Sequence, residues 1–93
     1  MAMINAQFTL GTATATKVVT GSINPQHVSM HNISKAANNF IHIGGVSTIT
    51  TNNSIHIDPG ETLQITTLPG EELYAIAAQA TPALGVLVHV QGT

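Results

Sequence analysis

Five histidines are the side chains here best suited to chemistry, because neutral imidazole is a frequent zinc or copper ligand. Their spacing works against a shared ion. His27 and His31 share one face of an alternating stretch but lie four residues apart, roughly 13 Å at the rise of a strand. His42, His56 and His89 each sit beside apolar residues, so they meet only if their strands are neighbours in register or across an oligomer axis. No metal site and no cofactor are expected. A nucleophilic triad finds no support either: there is no Gly-x-Ser-x-Gly elbow, and the single aspartate, Asp58, leads directly into a Pro-Gly turn. Glu71 and Glu72 are adjacent, so in an extended strand they face opposite sides and cannot act as a pair on one substrate. Gly44-Gly45 lacks the following helix and lysine of a phosphate loop. The expectation is a protein that is not an enzyme, with its histidines on polar or interface faces.

The chain has 93 residues, enough to close one hydrophobic core. Charged residues are only 6%, against roughly 25% in an average soluble domain. Thr, Ser, Asn and Gln take their place, and threonine suits a pleated surface better than a helical one. Such an exterior is either simply Thr-rich and neutral or largely covered by partners. A net charge of -2 with ordinary hydrophobicity excludes intrinsic disorder. Arginine is absent and Lys17 and Lys35 are the only basic side chains, so nucleic-acid binding is excluded. Without cysteine there are neither disulfides nor thiolate sites. The start MAMINAQFTL lacks the basic and apolar regions of a secretory signal, and no stretch is long enough to cross a bilayer, so no membrane association is expected.

The elements that must hold these residues are strands. Gln7 to Val19 carries short β-branched patterns that read as two strands, and Val28, Met30 and Asn32 then alternate against His27, Ser29 and His31. Lys35 to Asn39 reads as a polar loop. Phe40 to Ile43 is a strand ended by Gly44-Gly45, and Ser54 to Ile57 is another, with Ile55 and Ile57 facing one way and His56 the other. Pro59-Gly60 and Pro69-Gly70 are turns with a mechanism, since proline presets φ and glycine accepts the positive φ of a type II turn. Leu63, Ile65 and Thr67 alternate between them; Glu72 to Ala77 and Leu84 to Val90 complete the set. A helix over Glu71 to Ala80 is the rival reading there, weakened by the alternation of Tyr74 and Ile76 with Ala75 and Ala77. The fold class is therefore all-β: a single antiparallel β-sandwich, jelly-roll or Greek-key-like, of about seven to eight short strands. Residues 1–7 are expected as a flexible N-terminal arm and 8–93 as the sandwich. The expected core is Val28, Met30, Ile41, Ile43, Ile55, Ile57, Leu63, Ile65, Leu73, Val86 and Val88, with Phe40 and Tyr74 also at core positions.

Ile41-His42-Ile43-Gly44-Gly45, Thr48 to Ile57, Asp58-Pro59-Gly60-Glu61-Thr62-Leu63 and Glu72-Leu73-Tyr74-Ala75-Ile76-Ala77 occur in one order. That order resembles a family of small tailed-bacteriophage structural proteins, over about the last two-thirds of the chain, from Val28 to Val90. Asn53-Ser54 departs from the pattern, where an Asn-Gly pair is commoner. The resemblance implies a non-enzymatic virion β-sandwich, with a capsid cement or decoration protein the best fit to this length. The alternative is a tail, fibre or baseplate module that contacts a receptor or another tail protein. It implies the major capsid protein as partner, a homo-oligomer with a trimer favoured and a dimer possible, and a place on the capsid exterior after assembly in the host cytoplasm. Candidate interface residues are Met3, Ile4 and Phe8 in the arm and His27, His31 and His42 on the strand faces.

Overall fold

The computed structural model describes residues 2–34, 39–50, 53–79 and 82–90. Eight strands follow in chain order: β1 (Ala2–Thr9), β2 (Thr16–Val19), β3 (Gln26–Asn32), β4 (Ile41–Gly44), β5 (Ile55–Ile57), β6 (Thr62–Thr67), β7 (Leu73–Ala77) and β8 (Ala83–Val90). They form two four-stranded antiparallel sheets, the first in the order β1-β8-β3-β6 and the second in the order β2-β7-β4-β5. That interleaving is the double-sheet jelly roll, so the sandwich expected from alternation is present and its topology is settled.

Alternation makes the layers. In β3 the row Gln26, Val28, Met30 and Asn32 is buried, and the opposite row of His27, Ser29 and His31 faces out. Register carries the inward row across the first sheet: Val28 lies opposite Val88 and Ile65, and Met30 opposite Val86 and Leu63. From the second sheet Val19, Ile41, Ile43, Ile57 and Ala75 close onto it, with Leu10 and Leu84 wholly buried. Leu63 and Ile65 are only half-buried, packed against the core from the sheet margin. Phe40 and Tyr74 are half-buried too, Phe40 one residue outside β4 and Tyr74 with its hydroxyl donating to Glu72 Oε1 at 3.2 Å.

Glycine is required at three positions for two different reasons. Gly60 and Gly70 have φ of 80° and 84°, and in each turn the amide of the following glutamate donates to the carbonyl three residues back, Glu61 to Asp58 at 3.0 Å and Glu71 to Leu68 at 3.1 Å. Both Pro-Gly turns therefore form as expected. Gly44 is different: a Cβ there would collide with the Ile49 side chain, so close packing rather than backbone angle demands glycine at the end of β4.

Two expectations need correction. Residues 2–7 are not a free arm but most of β1, paired with β8 from Ala2↔Val90 to Thr9↔Ala83. The reason lies in the residues themselves: Ile4, Ala6 and Phe8 alternate with Asn5, Gln7 and Thr9, and the β8 edge offers a long ladder. Ile55 is not core, being 60% exposed, because β5 is the last strand of its sheet. The strand expected over Glu72 to Ala77, in preference to a helix over 71–80, forms as Leu73–Ala77, with β7 sandwiched between β2 and β4; Ala80 lies outside the described residues. Residues Lys35 to Asn38 of the expected loop lie outside them as well.

Candidate functional site

The outward row of the first sheet carries three of the five histidines. His27 stands between Thr66 of β6 and His89 of β8, and His31 between Thr62 and Gly85. Each bonds toward β6: His27 Nδ1 and Thr66 Oγ1 are 2.9 Å apart, His31 Nδ1 and Thr62 Oγ1 3.0 Å. Along this face runs a shallow groove of about 580 Å³ lined by His27, Ser29, Gln64, Thr66, Leu87 and His89. His89 Nε2 is shut off from solvent with no hydrogen-bond partner among the described residues. None of the four strands of this sheet contains a formally charged residue.

The other two histidines meet on the outer face of the second sheet. His42 on β4 lies directly opposite His56 on β5, with ring centroids 5.9 Å apart, and Phe40 sets its ring edge-on to His56 at 5.6 Å. His56 Nε2 is 3.0 Å from Asp58 Oδ1. A hollow of about 170 Å³ opens between Phe40, His42 and His56. Burial, and then the neighbouring charge of His56, push the His42 imidazole below its ordinary value. The titratable groups beside His42 are His56 and, beyond it, Asp58; β7 presents Ile76 opposite His42, with Tyr74 and Lys17 farther along the same face.

The sign follows from linkage. A folded state that prefers neutral His42 binds fewer protons than the unfolded chain, so this contribution to stability is whole above about pH 6.5 and is lost as pH falls below it. The denaturation midpoint in urea should therefore drop from about pH 7.5 to about pH 5, and His42→Gln should flatten that drop. A slope unchanged in the variant would assign the dependence elsewhere.

These placements answer the sequence expectations one by one. His27, His31 and His42 lie on outer faces, with His42 half-buried. Ile4 is 52% exposed, whereas Phe8 packs against the core; the side chain of Met3 lies outside the described ones. His56 and His89 join the faces as direct neighbours of His42 and His27, which alternation alone could not place. Glu71 accepts the Leu68 amide at 2.7 Å, while Glu72 pairs with Lys17 at 3.0 Å, so the two glutamates serve different ends of the structure. The bond between Lys17 and Glu72 raises the lysine ammonium and lowers the glutamate carboxyl from ordinary values. No group of three or more His, Asp or Glu side chains is arranged to hold a metal ion among the described residues. Between the sheets the core is apolar around Leu10, Met30, Ile41 and Leu84.

No family model matches the sequence, and no curated protein matches it. Solved structures do. A protein of Bacillus endospore appendages, described as a family of disulfide-linked pili, aligns over 98% of this chain and 87% of its own, with a TM-score of 0.61 at 9% identity. A designed double-stranded β-helix aligns over 94% and 96%, with 0.55 at 12%. A cupin from Bacteroides fragilis aligns over 99% and 68%, with 0.57 at 16%. The likeness is one of fold. The double-stranded β-helix is thus a frame that a pilus protein and a cupin both use, and the surface must decide between such roles.

Proposed function

We propose that this chain is a non-enzymatic structural subunit of a virion, a cement protein that binds the outer capsid surface and stabilises it. The observation that carries the reading is the chargeless outer face of the first sheet, where His27, Ser29, His31, Gln64 and Thr66 form a broad neutral surface. Burying it against another protein desolvates no formal charge, and its hydroxyls, imidazoles and amides can all find partners. The order of motifs from Ile41 to Ala77 supports a tailed-phage setting.

Cement need not bind tightly at each contact. A homo-oligomer, with a trimer favoured, sets several weak sites on neighbouring capsomers, and such linkage raises avidity by roughly 10²–10⁴. The major capsid protein is the partner. Purified protein added to capsids that lack it should cosediment with them and raise the temperature at which they break. Capsids that neither bind it nor gain heat resistance would overturn the reading, and immunogold labelling confined to the tail would move the chain to a tail, fibre or baseplate.

A further inference from the structure

We propose that copies of this chain join head to tail, strand β1 of one seated along the β6–β5 flank of the next. The inference rests on the reading of the chain as an assembling protein and names the surfaces that assemble.

The four sheet edges are unequal. On β2, only four residues long, the register shifts between Lys17 and Val19, and Lys17 is held by Glu72; a bulge and a lysine both discourage another strand. At the far side of the same sheet, β5 has three residues, too few for a ladder of its own. Edge β1 has none of these guards. All eight of its residues pair with β8 on one side, while no described strand pairs with its other side, and AMINAQFT contains neither charge nor proline. Edge β6, six residues of TLQITT, is equally uncharged and ends the same sheet at its opposite margin. The two strands able to accept another are thus the two ends of one sheet. Joining β1 of one copy to β6 of the next continues that sheet from molecule to molecule.

Side chains on the two flanks agree with this. Ile4 lies opposite Val88, which is 5% exposed, so Ile4 belongs to the inward row; yet it is 52% exposed because no described strand lies beyond β1. Ile55 repeats the situation on the other flank. It lies opposite Ile43, 2% exposed, and is itself 60% exposed at the margin of β5, from which the turn Asp58 to Glu61 leads directly into β6. Each molecule therefore leaves an inward-row isoleucine uncovered on each of two opposite flanks, and a neighbour on either side supplies the missing cover. Contacts between unlike flanks are heterologous, closing into a ring where the rotation permits and running on as a filament where it does not. A closed ring of three agrees with the trimer favoured above.

The test uses the full-length chain, Ile4→Lys, Ile55→Lys and an equimolar mixture of the two variants, by sedimentation velocity and native mass spectrometry. Lysine at these exposed sites places on each flank the charge that β1 and β5 lack. The unmodified chain should be oligomeric, and each variant alone should lose association by at least about tenfold. The mixture should form a one-to-one dimer, because each variant keeps the flank that the other has lost. Circular dichroism checks that both stay folded, and Ile4→Ser and Ile55→Ser replace any that does not. An Ile55→Lys protein that still dimerises while Ile4→Lys does not would indicate β1 pairing with β1 about a two-fold axis and overturn the head-to-tail arrangement. So would an unmodified chain that stays monomeric. A chain that assembles in this way but ignores capsids would keep this inference and lose the cement reading.

Discussion

Replacing Asn32 with aspartate should destabilise the fold by about 3–5 kcal/mol at neutral pH, the largest effect expected of any near-isosteric change in this chain. Asn32 is wholly buried at the end of β3. Its Nδ2 donates to the carbonyls of Asn39 at 2.7 Å and Ile57 at 3.2 Å, and its Oδ1 accepts the Ser34 amide at 3.2 Å. Its backbone is engaged as well, the N–H donating to Glu61 O and the C=O accepting from Gly60 N, both at 3.0 Å. One residue thus ties the first sheet to β5 of the second and to the turn that joins them. An ionised carboxylate would put acceptors against two carbonyl oxygens at a position wholly shut off from the surface.

The expected melting temperature falls by about 15 °C or more for a domain of this size. A second signature separates this cause from general damage. The buried carboxyl of the variant would have a folded-state value raised above the unfolded one, so stability should partly return as pH is lowered from about 7 toward about 4.5. Asn32→Leu lacks that return and should cost about 2–4 kcal/mol for the carbonyls it strands. Urea unfolding of both variants and of the unmodified chain at the two pH values measures the difference; an aspartate variant whose loss relative to the unmodified chain is no smaller in acid would remove the hydrogen-bond argument.

Alternation already placed Asn32 in the row of Val28 and Met30, so that an amide would be buried there was legible. What it bonds was not, because its partners come from residues 39 and 57 and the turn before β6, and no local pattern relates those positions. The same boundary runs through the rest of the molecule. Strands bounded by Pro59-Gly60 and Pro69-Gly70 were readable, since their turns have local causes. The start of β1, before Gln7, was not, because its alternation relies on small Ala6 and its partner is the distant β8. The histidines repeat the lesson. Their outward direction follows from period two, but the meeting of His42 with His56, and of His27 with His89, depends on which strands lie side by side.

Pattern also cannot tell a central strand from a marginal one, and here that difference sets the size of an effect. Ile41 and Ile55 both sit in short β-branched strands and both point toward the core side. Ile41 belongs to β4, flanked by β7 and β5, and is wholly buried; Ile55 ends its sheet and is 60% exposed. Ile41→Ala should cost about 2–5 kcal/mol, the transfer term plus that of a cavity between sheets that collapse only partly around it. Ile55→Ala should change the stability of the isolated subunit by about 0.5 kcal/mol or less, because most of its surface is already in water. Unfolding in urea at a protein concentration low enough to keep the subunits apart reads both values. Repeating it at high concentration distinguishes the two isoleucines again: the Ile55 variant alone should lose the concentration-dependent gain that assembly gives the unmodified chain, whereas the loss at Ile41 should persist at every concentration. Equal losses at both positions in the dilute subunit would mean that β5 is covered from within the chain, and the flank assigned to a neighbour would then already be closed.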